Sequence, residues 1–409
     1  MKPVPQLQLP QRRRRPRTRG FSIVELMVAV ALSLILTLAV TSVLMRNEGS
    51  SRNTLAVNDI NQSGAYGAYL LDNAVRSAGS GFASRANETY GCRINATRGG
   101  TAVLPRSSDW PAPFAGYTRN VRVAPVIIGK SQSADGSDVI AVMRGNAGIG
   151  ETPLEVIGLG PPLGLRNVIG LENNTLLLLA DGPTECLLLQ TTGLTPPAAG
   201  QPWLNAGVDT VDITGGTGNF HTTTGTHRNL AGFGTGAPIN PTVAINLGNA
   251  GAAGGTPTSA PQFSLYGVGA NRTLFALDML GIADGGVPQP IVEGVVEMRA
   301  LYGVDNDADG ALDAWVDPGV APFDTASLLD GSAAAQANLS RIVALRIGLV
   351  LRTARAEREV VAPASLVLFA DLPAALRQTR TLSTAERNFR HRTAEVTVPL
   401  RNVLLAAAL

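Results

Sequence analysis

The densest run of potential ligands reads Asp305-Asn306-Asp307-Ala308-Asp309-Gly310-Ala311-Leu312-Asp313. Three aspartates at alternate positions converge only where the chain turns sharply, and Gly310 permits that turn. Ala311 offers a carbonyl and Asp313 a ninth-position oxygen, so the pattern is the first part of a calcium loop. The twelfth position is Val316, Asp317 falls one residue late, and no helix pair is expected on either side. A weak structural calcium site is therefore expected at Asp305, Asp307, Asp309, Ala311 and Asp313, whose clustered carboxylates repel one another without a cation. Asp, Asn and Gly are also ordinary turn residues, and a plain turn between strands is the competing reading.

Other chemistry is sparse. Gly129-Lys130-Ser131 ends like a phosphate-binding loop, but Ala124 stands where its first glycine belongs and 125–128 reads as strand. Gly158 to Gly164 has the wrong spacing for a dinucleotide fingerprint and contains Pro161 and Pro162. There is no G-x-S-x-G elbow. His221 and His227 sit in a Thr/Gly-rich stretch without neighbouring acids or thiols, and His391 stands at a strand entrance. No enzyme is expected. Cys92 and Cys186 are the two cysteines. In an exported chain an even pair points to one disulfide, with two free buried thiols as the alternative.

The N-terminus says where these groups are placed. Residues 1–20 hold Lys2, Arg12, Arg13, Arg14, Arg15, Arg17 and Arg19 and no acid. Removing these seven leaves 26 basic against 31 acidic residues, a balance of −5 for the rest, which argues against a nucleic-acid-binding body. Leu26 to Met45 is a run of 20 uncharged residues, about 30 Å as a helix and so long enough for a bilayer core. Arginines before it place the N-terminus in the cytoplasm and residues 46–409 outside. The run starts abruptly at Phe21 and contains a single acid, Glu25, which so near the membrane interior needs a partner or a function.

The segment RGFSIVELMVAVALSLIL resembles the class III signal of type IV prepilins. That resemblance implies cleavage by a prepilin peptidase between Gly20 and Phe21, methylation of the new amine, and Phe21 and Glu25 as first and fifth mature residues. In a bundle of staggered helices Glu25 could neutralise the Phe21 amine of a neighbour and set the axial register, with an intrachain i,i+4 contact as the alternative. The helix is expected to continue as an amphipathic segment over 47–80. Val57, Ile60, Gly64, Gly67, Leu71, Ala74 and Ala78 share one face, and Gly79-Ser80-Gly81 ends it.

Beyond residue 81 the pattern turns to strands. Expected strands are 121–128, 139–143, the hairpin arms 175–180 and 186–190, 263–266, 274–277, 291–304, 340–353 and 393–401. The last three alternate apolar and polar residues and so predict one wet face each. Residues 192–262, rich in Gly and Thr, are expected to form a long loop or insertion. The sum is α+β, a long helix on an antiparallel sheet domain. RSAGSGF at 76–82, Gly91-Cys92 and VEGVVEMRALYGVDNDADG at 292–310 resemble the PilW-type minor pilins. The resemblance implies a membrane-inserted subunit that primes or tips a type IV pilus. Its partners would be other minor and major pilins and the inner-membrane assembly machinery, with the bulk periplasmic and then at the cell surface. A minor pseudopilin of a type II secretion system shares the same leader, and a pilus-tip adhesin or DNA-uptake module is the third reading.

Overall fold

A computed structural model of the chain describes residues 20–148, 151–159, 163–195, 209–212, 220, 241–252 and 255–407. The chain divides into two units, Met1–Ala56 and Val57–Leu409. One helix, α1 (Ile23–Arg76), runs through both. The fold is α+β, an apolar N-terminal helix followed by a domain of mainly antiparallel sheets.

In the first unit, Ile23–Met45 has a mean hydropathy of 2.6 and buries none of its residues. Apart from Glu25, its few polar side chains bond to the helix itself. Ser33, Thr37, Thr41 and Ser42 donate to the carbonyls of Val30, Ser33, Thr37 and Ala39 at 2.7–2.9 Å. Such back-bonding leaves none of these four hydroxyls unsatisfied on the exposed helix surface.

In the second unit, the helix lays a stripe of small and apolar residues on the sheets. Ile60, Gly64, Gly67, Leu71, Val75 and Ala78 are buried. A Cβ on Gly64 would lie 3.2 Å from Leu351 Cδ1, and one on Gly67 would lie 3.2 Å from Leu349 Cδ1. Glycine therefore lets the helix backbone approach the sheet. The expected face differs in one place: Ala74 is half-buried and Val75 faces the core. The helix also stops at Arg76, short of residue 80. Gly79 (φ +78) and Gly81 (φ +84) reverse the chain, and Gly79 N donates to Met143 O at 2.8 Å. Asn402 Nδ2, in a C-terminal helix (Arg401–Ala407), donates to the carbonyls of Ser77 and Ala78 just beyond the helix end.

Among the described residues, the strands of the domain form three sheets and a hairpin. The largest has nine strands, with Glu185–Gln190, Thr175–Ala180, Val243–Asn249 and Leu154–Gly158 adjacent at its centre. Leu176 and Leu178 face the main core, while Leu177 and Leu179 face a second, smaller cluster. A strand buried on both faces reads as a continuous apolar run, as TLLLLA and ECLLLQ do. A five-stranded antiparallel sheet runs Gln289–Glu293, Thr273–Asp278, Gln262–Gly269, Val139–Arg144, Val126–Gly129. The four-stranded sheet runs Ala314–Val316, Val295–Val304, Ile342–Arg352, His391–Pro399. Ser365–Leu368 pairs with Gln378–Thr381 in a separate hairpin.

Three expectations need correction. The stretch 192–262 is not all loop, because Val243–Asn249 is a buried strand at the centre of the largest sheet. Its 196–208, 213–219 and 221–240 portions, with His221 and His227, lie outside the described residues. The expected strand 291–304 is two strands in different sheets, parted at Gly294 (φ +83). A bulge between Val295 and Glu297 then turns Val296 away from Met298, Ala300 and Tyr302, into a third cluster with Leu301, Val350 and Phe369. Finally, Val295–Val304 and Ile342–Arg352 have no wet face. Val350 is fully buried and Glu297 is 5% exposed, because the second face is covered by Phe369 and Leu372 and by the hairpin arginine Arg380.

Candidate functional site

Two places in the chain hold the expected chemistry. The first is the start of α1. Gly20 is exposed, with no atom within 4 Å of where a Cβ would stand, and Phe21 is 77% exposed. Ser22 Oγ accepts from Val24 N at 3.3 Å and caps the helix, so the leader joins it through an open, unpacked peptide. Glu25 lies in the first helical turn, where the helix dipole favours a carboxylate. Among the described residues no cation pairs with it.

The second is the loop between Val295–Val304 and Ala314–Val316. Asp305 N donates to Arg341 O at 2.9 Å and Asp313 N to Val304 O at 3.0 Å, which closes the loop at its base. Carboxylate oxygens of Asp305, Asp307 and Asp313 lie within 4.8 Å of one another. Gly310 (φ +85) makes the sharp turn, together with Ala308 (φ +63). Asp309 is not among the three that converge. Its Oδ1 accepts from Ala311 N at 2.7 Å. Asp317 is not available as a late ligand either, since it pairs with Lys130 at 2.5 Å and accepts from Gly319 N at 2.7 Å.

The loop carries electrostatic tension. The charges of Asp309 and then Asp313 push the Asp307 carboxyl above its ordinary value. Asp305 moves the other way. Burial opposes its charge, but the N–H groups of Gly310 and Ala308, with smaller contributions from Asp309 and Asp307, outweigh that and hold it low. One carboxylate is thus fixed by the backbone and a second is held beside like charges. Asp305, Asp307 and Asp313 are the residues that could ligate a hard cation there, with both Asp305 oxygens and Asp313 Oδ2 also accepting backbone N–H bonds.

Cys92 and Cys186 form a disulfide with Cα atoms 5.5 Å apart, and no free cysteine remains. It joins the segment after α1 to the strand Glu185–Gln190, beside which Arg93–Arg98 runs parallel. Among the described residues, Lys130 and His391 are the other sequence candidates, and both are engaged by neighbours. Lys130 is held by Asp317, and His391 Nδ1 lies 3.0 Å from the Phe389 carbonyl while burial lowers the ring's pKa. Sequence reading missed a buried chain of charges around Glu297. Glu297 and Arg299 stand at alternate strand positions, a pattern that an exposed face also shows.

Comparison with known families agrees with both ends of the chain. Residues 15–41 match the prokaryotic N-terminal methylation motif, and residues 265–402 match the type IV pilus-assembly protein W family. These matches support a prepilin-like protein of the PilW type with a pilus-related role, and the N-terminal apolar helix is long enough for membrane anchoring. No curated protein matches it. No solved structure matches it. The second match covers the four-stranded sheet, the hairpin and the aspartate loop, so all of these belong to the region shared with that family.

Proposed function

We propose that this chain is a minor pilin, inserted in the inner membrane with its N-terminus cytoplasmic and its body periplasmic, that primes or tips a type IV pilus. The observation that carries this reading is the pairing of a prepilin-type N-terminus with a helix whose Gly64 and Gly67 pack on Leu351, Ala394, Leu349 and Val292 of the PilW-matching region. Its role is structural rather than catalytic. Its partners are the prepilin peptidase, which cuts after Gly20, and other minor and major pilins, which stack beside its apolar helix. Deleting the gene should abolish or sharply reduce surface pili, scored by shearing. Normal piliation, with failed export through a type II pathway instead, would reassign the chain to the pseudopilins.

Processing follows from the same reading. Mass spectrometry of membrane-fraction protein should find a chain that begins at Phe21 with a methylated amine. A mature chain retaining Arg12–Arg19 would remove the prepilin assignment. Glu25 is then the single acid available to a neighbour's Phe21 amine. Glu25→Val should leave cleavage and insertion intact and lower the amount of the subunit in sheared pili several-fold. An unchanged level would show that Glu25 does not set the register.

The aspartate loop fits the same extracytoplasmic role as a calcium-stapled turn. Asp305, Asp307 and Asp313 would supply the carboxylates, with a Kd of about 10⁻⁴–10⁻³ M. Calcium should raise the melting temperature at neutral pH. The rise should shrink as acid protonates Asp307, whose pKa is raised by its neighbours. Asp305→Ala with Asp307→Ala, which removes two of the three converging carboxylates, should abolish it. No shift at millimolar calcium in the wild type would leave the loop a plain turn.

A further inference from the structure

A surface cleft of about 370 Å³ lies between the segment 98–108 and the loop 279–286. Its polar lining includes Arg98, Arg106, Ser107 and Ser108, with Gly285 opposite and no acidic side chain. The loop contains one acid, Asp284, and a second, Asp278, ends the strand before it; both carboxylates are turned onto the loop backbone. Asp278 accepts from the N–H groups of Leu280, Ile282 and Ala283 at 2.7–3.0 Å. Asp284 accepts from Asp278 N and Gly286 N at 3.0 and 2.8 Å. These bonds, with positive φ at Gly281, Gly285 and Gly286, fix the loop's shape and direct both carboxylates at backbone N–H groups rather than at the cleft arginines.

Both guanidinium groups are held in place. Arg98 lies over the buried Phe220 ring, 5.3 Å from its centroid, and donates to Gly281 O at 3.2 Å. Arg106 lies 4.5 Å from the centroid of Trp110, and its Nε donates to Ser108 O at 3.3 Å. Trp110 is itself fixed by a 2.8 Å bond from Nε1 to Thr118 O. The Nη groups of Arg106 have no further partner among the described residues. A guanidinium stacked on a ring loses little freedom on binding, and its planar fork matches a carboxylate.

We propose that this cleft binds the carboxylate of an acidic sugar, with Arg106 as the principal anion contact and Ser107, Ser108 and the glycine loop meeting the sugar hydroxyls. The cleft is near the lower end of the size range for small-ligand pockets, so it suits one or two rings rather than a polymer strand. The −5 balance of the chain beyond residue 20 also works against an extended polyanion. The proposal does not depend on the role in pilus assembly.

Calorimetric titration of the full-length protein in detergent, with digalacturonate, lactose and a short single-stranded oligonucleotide as separate probes, tests it. Digalacturonate should bind and lactose should not. Arg106→Gln should weaken digalacturonate about tenfold, the loss expected for one charge-assisted hydrogen bond. Arg106→Lys should recover little, because an ammonium lacks the fork. If the arginine variants fail to fold, Ser107→Tyr, at an exposed position, should block the cleft sterically and abolish binding. Three results would each overturn the proposal: no binding of digalacturonate at millimolar concentration, equal binding of lactose, or unchanged affinity in Arg106→Gln and Ser107→Tyr. Tighter oligonucleotide binding that Arg106→Gln weakens would overturn it in favour of nucleic acid.

Discussion

Replacing Cys92 and Cys186 together by alanine should destabilise the domain by about 3–5 kcal/mol, the range for a cross-link that closes a loop this long. The two cysteines are 94 positions apart, and breaking their bond releases that whole span in the unfolded ensemble. The span includes Arg93–Arg98 and Val139–Arg144, strands of two different sheets, so the bond shortens the search for non-local pairings. Both positions are fully buried in the main core, next to Ile94 and Leu188 in the same cluster. Alanine is the right replacement there, since serine would add a buried hydroxyl and its own penalty. The melting temperature should fall by roughly 4–7 °C, given the entropy of unfolding usual for a domain of this size. Denatured, unreduced wild-type protein should show no reactive thiol. Two reactive thiols, or a variant melting within about 2 °C of wild type, would show that the bond is not holding the fold.

The parts of the fold that were legible in the sequence share one physical property: a period imposed by a single buried face. The stripe Ile60, Gly64, Gly67, Leu71 repeats at three and four because only one side of α1 meets the sheet. The hairpin Thr175–Ala180 with Glu185–Gln190 was visible from its apolar arms and its Asp181-Gly182-Pro183 turn, and Gly182 takes φ +69 there. What was hidden had two buried faces or depended on distant partners. Val243–Asn249 reads VAINLGN, where Val243, Ile245 and Leu247 alternate toward the main core, but three apolar positions inside a Gly/Thr-rich stretch were too short a signal to read as a central strand. The bulge at Val296 could not be read, since an alternating pattern carries no mark of the extra residue that breaks it. Of the candidate sites, the aspartate loop was read from its spacing. Asp309's turn toward Ala311 and Asp317's pairing with Lys130 were not, because each depends on backbone geometry or on a residue 187 positions away.

The same limit explains Glu297, which looked like one member of a wet strand face and is instead the middle of a buried chain of charges. Its Oε1 accepts from Arg299 Nε at 2.7 Å and its Oε2 from Arg380 Nη1 at 3.2 Å. Arg299 continues to Asp138 at 3.2 Å, and Arg380 to Glu386 at 2.8 Å. The chain thereby links Asp138, at the start of a five-stranded-sheet strand, to the four-stranded sheet and to the Gln378–Thr381 hairpin arm. Glu297→Ala should cost about 3 kcal/mol, because it leaves two arginines with side chains only 18% and 20% exposed each short of one partner. The cost should not reach the top of the range for a broken buried pair, since Asp138 and Glu386 stay in place. Glu297→Gln keeps the shape and one acceptor oxygen, so it should lose less. A double-mutant cycle of Glu297→Gln with Arg380→Gln should give a coupling of about 1–3 kcal/mol. Loss of the Arg380 contact should also loosen the hairpin before the sheets, because Phe369 and Leu372 form only a small cluster with it. Limited proteolysis of Glu297→Ala should therefore cut first within 365–381. A variant that loses under about 1 kcal/mol, or that is cut first elsewhere, would mean that apolar packing alone holds the hairpin and that the charges merely tolerate burial.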